Sequence, residues 1–515
     1  MEPQAHAERK GPELPCAPPW NAATDVAMFH DKMSVVVTDL SGEVRTTVCI
    51  EPDSRVEALR FEAARALGWC PVRLLHDGAE LLDDSLKPSQ AGLQDGSRIT
   101  ALVSGVMSIQ ATRAAFAALR TDGSLVVWGL RASGGDASTV HGQLGSDIQR
   151  VFSNCNAFAA VKYCGSVVVW GDDACGGQPL EAAGELKSGV VEVFSTERAF
   201  AALKADGTVV TWGHCSYGGE LPPTEGPRRA VRVFATKGAF AALRDDGSVM
   251  AWGRPDMGGD SSAVAAQLRS GVTHVSGTTG AFAALKLDGS VVSWGDHDIG
   301  GDAREAAERL RSGVSRIFAN HYAFAALKND RTVVTWGRRP WGGDSKRVEC
   351  QLAGVDSIVS STSAFAAVRR DGSVVCWGSE GNGVVAEGVA RVCSTQGAFA
   401  AVKTSGSVVA WGNSMYGGSS RAVASQLQAN VERVCSTFFA FAALKAGGSV
   451  VTWGMSDHGG DPGDEEAAKL KSGVVQIFAT RDAFAAVKAD GSVVTWGQER
   501  NGGDSSSVAD QLRRR

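Results

Sequence analysis

The 515-residue sequence predicts a mainly β protein: a small mixed domain followed by a long tandem array. Three observations predict it. A Phe and a Trp recur ten times at a separation of twelve, and Trp outnumbers Tyr 13 to 4. Gly is abundant (62) against only 15 Pro, which points to many tight turns. The apolar stretches are short, rich in β-branched residues and bounded by turn residues. The 44% apolar content is ample for a buried core, and a net charge of −5 gives no overall pull toward nucleic acid or anionic membrane.

Residues 1–31 carry Pro at 3, 12, 15, 18 and 19 with no apolar periodicity, and are expected to be a disordered tail. They hold no apolar core of the kind a secretory signal needs, and no stretch of the chain approaches the ~18 apolar residues of a membrane helix. The 11 Cys are spaced singly, without a C-x-x-C pair, which argues against a zinc ribbon and fits a reducing compartment. The expected location is cytoplasmic, nuclear or both.

Residues 32–103 alternate strand and helix signals. Strands are expected at Ser34–Thr38 and Val44–Ile50 around a Ser41-Gly42 turn. Ser54 and Glu57 have the spacing of a capping box. Behind it Val56, Leu59, Ala63 and Leu67 share one helix face, and Gly68 is the stop. Arg73–His76, an Asp77-Gly78 turn, Glu80–Leu82 and a last strand Arg98–Val103 complete a ββαββ order, the pattern of a β-grasp. The segment is similar to ubiquitin at Leu40-Ser41-Gly42, Glu51-Pro52, Arg73-Leu74-Leu75, Gly78–Asp83 and Gly96-Ser97-Arg98-Ile99. That resemblance implies that Leu40, Leu75 and Leu102 form an exposed apolar recognition patch; the alternative is that one or more belong to the core. Val103 runs on into Ser104-Gly105-Val106 without a diglycine, so the resemblance implies a built-in domain that docks on ubiquitin receptors, not a conjugated modifier.

Residues 104–515 are ten repeats. The Phe positions are 116, 158, 200, 240, 282, 324, 365, 399, 441 and 484, each followed twelve residues later by Trp. The last unit shows the elements: strands Val474–Ala479, Ala483–Lys488 and Ser492–Trp496, with Asp490-Gly491 as a hairpin turn whose two central residues are expected at positive φ. After Trp496 come Gly502-Gly503-Asp504 and a short amphipathic helix, Ser505–Leu512, with Asp504 placed to cap it. The seventh unit lacks this last element, since Trp377-Gly378 is followed by SEGNGVVAEGVARVCST. A three-stranded sheet cannot bury both faces alone, but stacked copies can.

The string A-F-A-A-L-x-x-D-G-S-V-x-x-W-G resembles the regulator-of-chromosome-condensation repeat, and His141-Gly142-Gln143-Leu144-Gly145 resembles the G-Q-L-G that closes it. The resemblance implies a β-propeller-like array. Ten copies leave three arrangements open: one large ring, a seven-bladed ring with three extra units, or an open β-rich solenoid. Closure is favoured because it removes sheet edges.

The nine His are unpatterned, and neither a phosphate-binding loop nor a nucleophile elbow is present. The recurrent G-G-D, as at Asp136 and Asp504, reads as a turn and helix cap more readily than as a calcium ligand. The repeat Trp residues read as buried packing. Gly463-Asp464-Glu465-Glu466 reads as a solvated loop. No catalytic residue, metal site or cofactor is expected. The expected function is a non-enzymatic scaffold or adaptor. Its repeats would bind a protein partner, and the ubiquitin-like domain would link that partner to ubiquitin receptors or proteasome-linked factors, with no role for nucleic acid or membrane. The resemblances leave two alternatives: the substrate-recognition arm of a ubiquitin ligase lacking its own HECT domain, or guanine-nucleotide exchange on a small GTPase.

Overall fold

The computed structural model describes residues 33–38, 44–51, 54–67, 72–77, 79–81, 86–103, 105–222 and 229–513; the expected tail at 1–31 lies outside them. Among the described residues no helix is long and apolar enough to cross a membrane.

The N-terminal domain comprises β1 (Met33–Thr38), β2 (Val44–Ile50), α1 (Val56–Ala66), β3 (Val72–His76), β4 (Ala79–Glu80) and β5 (Ser97–Val103). They form one sheet in the order β2-β1-β5-β3-β4, with β1 and β5 parallel and the other pairs antiparallel. Period-two alternation buries Val35, Val37, Val48, Ile50, Leu74 and Ile99 with Leu59 and Ala63 of α1. The expected capping box does not form. Ser54 Oγ turns back to the Glu51 carbonyl (2.6 Å), and the helix starts at Val56 behind Arg55 with no side-chain cap. Glu57 has a better partner elsewhere: its Oε1 accepts from Ser472 Oγ at 2.6 Å.

That contact belongs to a second face of α1. Phe61 lies over Gly448, and Arg65 pairs with Glu432 at 3.2 Å. Residues 57, 61 and 65 are four apart and therefore share a face. The Val72 amide donates to the Ala489 carbonyl (3.1 Å), and Phe61 and Val72 join Val487 and Ala489 in one apolar cluster. The N-terminal domain is thus seated on the ninth and tenth repeats.

Each repeat is an antiparallel sheet of inner, middle and outer strands, such as Ile148–Ser153, Ala157–Lys162 and Val167–Gly171 in the second. The register sets Phe158 opposite Trp170, and their rings stack with centroids 5.1 Å apart. The middle strand is buried on both faces: Ala157, Phe158, Ala159 and Ala160 are all 0% exposed. Ala keeps the gap between neighbouring sheets narrow, and every repeat Phe except Phe399 fills it against a Gly of the preceding repeat. A Cβ on Gly134 would lie 2.6 Å from the Phe158 ring, and Trp170 Nε1 donates to the Gly134 carbonyl at 3.0 Å.

The same joint links the last repeat to the first. Trp128 Nε1 donates to the Gly502 carbonyl (3.2 Å), and a Cβ on Gly502 would meet Phe116 at 2.5 Å. Inner strands adjoin all the way round, including Val474–Ala479 beside Val106–Ala111. The ten sheets remain separate and close the ring by stacking, without strand pairing between repeats. Neither an open solenoid nor a seven-bladed ring with extra units forms: each repeat Phe stacks on its Trp, and the first pair, Phe116 and Trp128, packs on Gly502 of the last repeat.

Two local expectations change. In the Asp-Gly turns of the repeats only Gly has positive φ, for instance 76° at Gly123 and 83° at Gly491. Asp122 instead accepts the Ser124 amide at 2.9 Å, and Gly123 supplies the left-handed residue that follows a tight turn. The element after Trp is mostly 3-10 helix. The tenth repeat has Ser506–Val508 followed by an α-helical turn, Ala509–Arg513, and Gly463–Lys469 in the ninth is α-helical. The acidic run at 464–466 is therefore the first turn of a helix, where carboxylates oppose the positive dipole end. In the seventh repeat a fourth strand, Gly383–Ala386, pairs with Val374–Gly378 in place of this element.

Candidate interaction site at the ring mouth

A buried polar side chain follows each inner strand and ties the repeat together. Thr112 Oγ1 accepts the Ala115 amide (3.0 Å) and donates to the Ser133 carbonyl (2.9 Å). Asn154 does the same with Ala157 and Cys175, and Thr437 with Ala440 and His458, while Thr395 Oγ1 donates to the Tyr416 carbonyl at 2.8 Å. The seventh repeat has no 3-10 carbonyl to offer, and Ser361 donates to the Glu380 carboxylate (2.9 Å), which also accepts from Ser363 and Ser379.

The residue after this anchor faces the axis. The ten residues at that place line one cavity of about 780 Å³ at the mouth of the ring. A belt of backbone hydrogen bonds holds them: Arg113 donates to Cys155 (3.0 Å), Glu197 to Lys237 (2.8 Å), Lys237 to Thr279 (3.0 Å) and Phe438 to Arg481 (2.9 Å). Between Cys155 and Glu197 the bond comes from Cys155 Sγ to the Glu197 carbonyl at 2.7 Å.

The side chains on this fixed frame differ from copy to copy. Arg113, Lys237 and Arg481 bring positive charge, and Glu197 pairs with Arg113. Cys155, Thr279, His321, Thr362 and Gln396 are neutral or titratable, and Phe438 is an apolar group 43% exposed, with the Arg481 guanidinium 5.5 Å from its ring. Burial first, then the nearby Lys237, hold the His321 imidazolium below its ordinary pKa. A mouth with a cationic bias, one exposed aromatic ring and several hydrogen-bonding groups can take hold of a shaped polar partner.

The G-G-D carboxylates act as caps: Asp136 accepts the Ser138 amide (2.9 Å) and Asp504 the Ser506 amide (2.8 Å). Nine repeat Trp residues are buried and Trp411 is half-buried. Of the three Leu residues singled out in the N-terminal domain, Leu40 and the side chain of Leu102 lie outside the described residues. Leu75 is half-buried, and its backbone is opposite Thr100 while that of Leu102 is opposite Arg73. Sequence reasoning missed the mouth. The available signal was a column, two places beyond the inner strand, that varies directly after a column of Thr, Asn or Ser.

No family model matches the chain, and no curated protein matches it. Solved structures are similar to it at low identity. The ectodomain of the receptor kinase CR4 from Physcomitrella patens is 16% identical, with 50% of this chain and 69% of that chain covered and a TM-score of 0.30. A chain of the complex of Kap60 with yeast RCC1 (Prp20) is 16% identical, with coverages of 60% and 79% and a TM-score of 0.31. Prp20p from Saccharomyces cerevisiae, described with its binding to Gsp1p and histones, is 15% identical, with coverages of 68% and 83% and a TM-score of 0.29. The architecture of this chain rests instead on its own strand register and the joint between its first and last repeats.

Proposed function

We propose that this chain is a non-enzymatic interaction scaffold that holds a protein partner at the mouth of its ten-repeat ring. The observation that supports this most is the contrast between a repeated frame and the eight residue types that occupy its ten mouth places. A frame of stacked sheets and belted turns fixes where each side chain stands, and variation on that frame generates a particular binding surface. The N-terminal domain is the second interaction unit in this reading. Its sheet order, its single helix and the half-buried Leu75 support a ubiquitin-like role, in which it links the ring's partner to ubiquitin receptors.

Quantitative affinity capture tests the first part, using the full chain and a triple variant, Arg113→Glu, Lys237→Glu and Arg481→Glu. Proteins bound by the parent and lost from the variant are expected, and identical capture sets would overturn the reading. Pull-down with proteasomal ubiquitin receptors tests the second. Binding that weakens on Leu75→Ala supports it, and no binding by the parent chain sinks it. A thioester assay with E1, E2 and ubiquitin should give no adduct on any Cys.

A further inference from the structure

We propose that Cys155 and Cys175 are a peroxide-sensitive thiol pair that closes to a disulfide at the ring mouth. Their sulfurs stand 3.6 Å apart within the second repeat, twenty residues apart in the chain. Both occupy places that vary among the repeats: Cys155 the mouth position, Cys175 the last residue of the 3-10 turn Asp173–Cys175. No other repeat has Cys at either place; the corresponding residues are, for example, Arg113 with Ser133, and Glu197 with Tyr217.

The two sulfurs differ in access and in environment. Cys155 is half-buried and lines the mouth cavity, whereas Cys175 is 2% exposed behind it. Hydrogen bonding from the Cys175 thiol, with the nearby Arg113 and Arg198, outweighs the opposing effects of burial and Glu197, so the Cys155 thiol falls below its ordinary pKa. Cys175 is pushed the other way by Cys155 itself, by burial and by Asp172. This is the arrangement of an attacking thiolate with a resolving thiol beside it.

The chemistry balances with hydrogen peroxide as oxidant. The Cys155 thiolate attacks one peroxide oxygen and the O–O bond breaks. Sulfur loses two electrons and becomes a sulfenic acid, while the other oxygen leaves as hydroxide and takes up a proton to become water. Cys175 sulfur then attacks the sulfenic sulfur and the S–O bond breaks. The departing hydroxide takes the Cys175 proton and leaves as a second water. Closure draws Cys155 Sγ off the carbonyl of Glu197, the residue that pairs with Arg113. It also fastens the mouth turn to the 3-10 turn whose following residue, Gly176, accepts from Trp212 Nε1 at 3.1 Å.

The test is oxidation of the full chain with hydrogen peroxide, alkylation of the remaining thiols, digestion and mass spectrometry without reduction. A 155–175 cross-linked peptide is expected, two hydrogens lighter than its parts and lost on reduction. It should form at least about tenfold faster than oxidation of Cys376, whose thiol burial pushes up to about 12. In Cys175→Ser, Cys155 should persist as a sulfenic acid that dimedone traps. Oxidation of the exposed Cys164 and Cys215 without a 155–175 peptide would overturn the proposal. So would a wild-type Cys155 sulfenic acid that persists without closing.

Discussion

The indole nitrogen of Trp128 donates to the carbonyl of Gly502 at 3.2 Å across 374 residues of sequence. This bond and the seating of Phe116 on Gly502 are the covalently unsupported joint of the ring. Any other neighbouring pair is also linked directly by the chain, but this one is held by noncovalent contacts. Gly502 has φ 99°, so a side chain there is strained before it meets Phe116 at 2.5 Å. Gly502→Val should cost about 2–4 kcal/mol, from backbone strain and overpacking together. Denaturant unfolding measures the loss. Hydrogen exchange should rise together in Val106–Ala111 and Val474–Ala479, the two strands flanking the joint.

Arg331 occupies the place that Gly holds in the Asp-Gly turns, with φ 66°. An Arg there carries about 1 kcal/mol of left-handed strain that Gly does not. Its guanidinium pairs with Asp356 at 2.7 Å, but both side chains are partly exposed, and such a pair contributes about 0.5 kcal/mol or less. Strain therefore outweighs the ion pair. Arg331→Gly should raise the unfolding midpoint, by the equivalent of about 0.5 kcal/mol. A lowered midpoint would show that the pair is the stronger term.

The repeat unit was legible in the sequence because its determinants are local. The Phe–Trp spacing is a cross-strand register, and the three strands of the last unit agree with those expected from residue 474 to within a residue or two. Non-local choices were not legible. Glu57 has the spacing of a capping box, yet the partner that wins it is Ser472, which only the folded ring brings near. Ring closure depends on the cumulative angle between ten sheets, which no single unit reveals. The mouth is formed by residues about 40 apart, each unremarkable within its own copy.

Trp411 Nε1 is buried without a hydrogen bond, and the group facing it is the Cys376 thiol. The other nine repeat Trp residues donate to a Gly carbonyl of the preceding repeat, as Trp453 does to Gly417 at 2.9 Å. The seventh repeat has no such Gly, because its 3-10 element is replaced by Gly383–Ala386. Replacing Trp by Phe at the two places therefore differs in one term. Trp453→Phe strands the Gly417 carbonyl, whereas Trp411→Phe removes a donor that was already unpaired. Trp453→Phe should cost about 1–2 kcal/mol more than Trp411→Phe in denaturant unfolding. Equal costs would mean that the indole bonds contribute nothing net.

Two His residues make the ring sensitive to mild acid. His321 is held below its ordinary pKa by burial and Lys237, and His274 by burial, Arg232 and Arg316. A folded pKa below the unfolded value of about 6.5 means that the unfolded chain binds more protons in the window between the two. Stability is then complete above the unfolded pKa and falls as the pH drops through it toward the folded values. The exposed turn aspartates, such as Asp206 and Asp246, are lowered by hydrogen bonds from Thr208 and Ser248, so their loss comes later, below the ordinary carboxylate range. Unfolding midpoints measured from about pH 7.5 to 5.5 should therefore decline in the parent and decline less in the His274→Gln, His321→Gln double variant. An identical slope in both would place the acid sensitivity elsewhere. Because His321 lines the mouth, the same titration adds positive charge beside Lys237, and partner binding there should change over the same window.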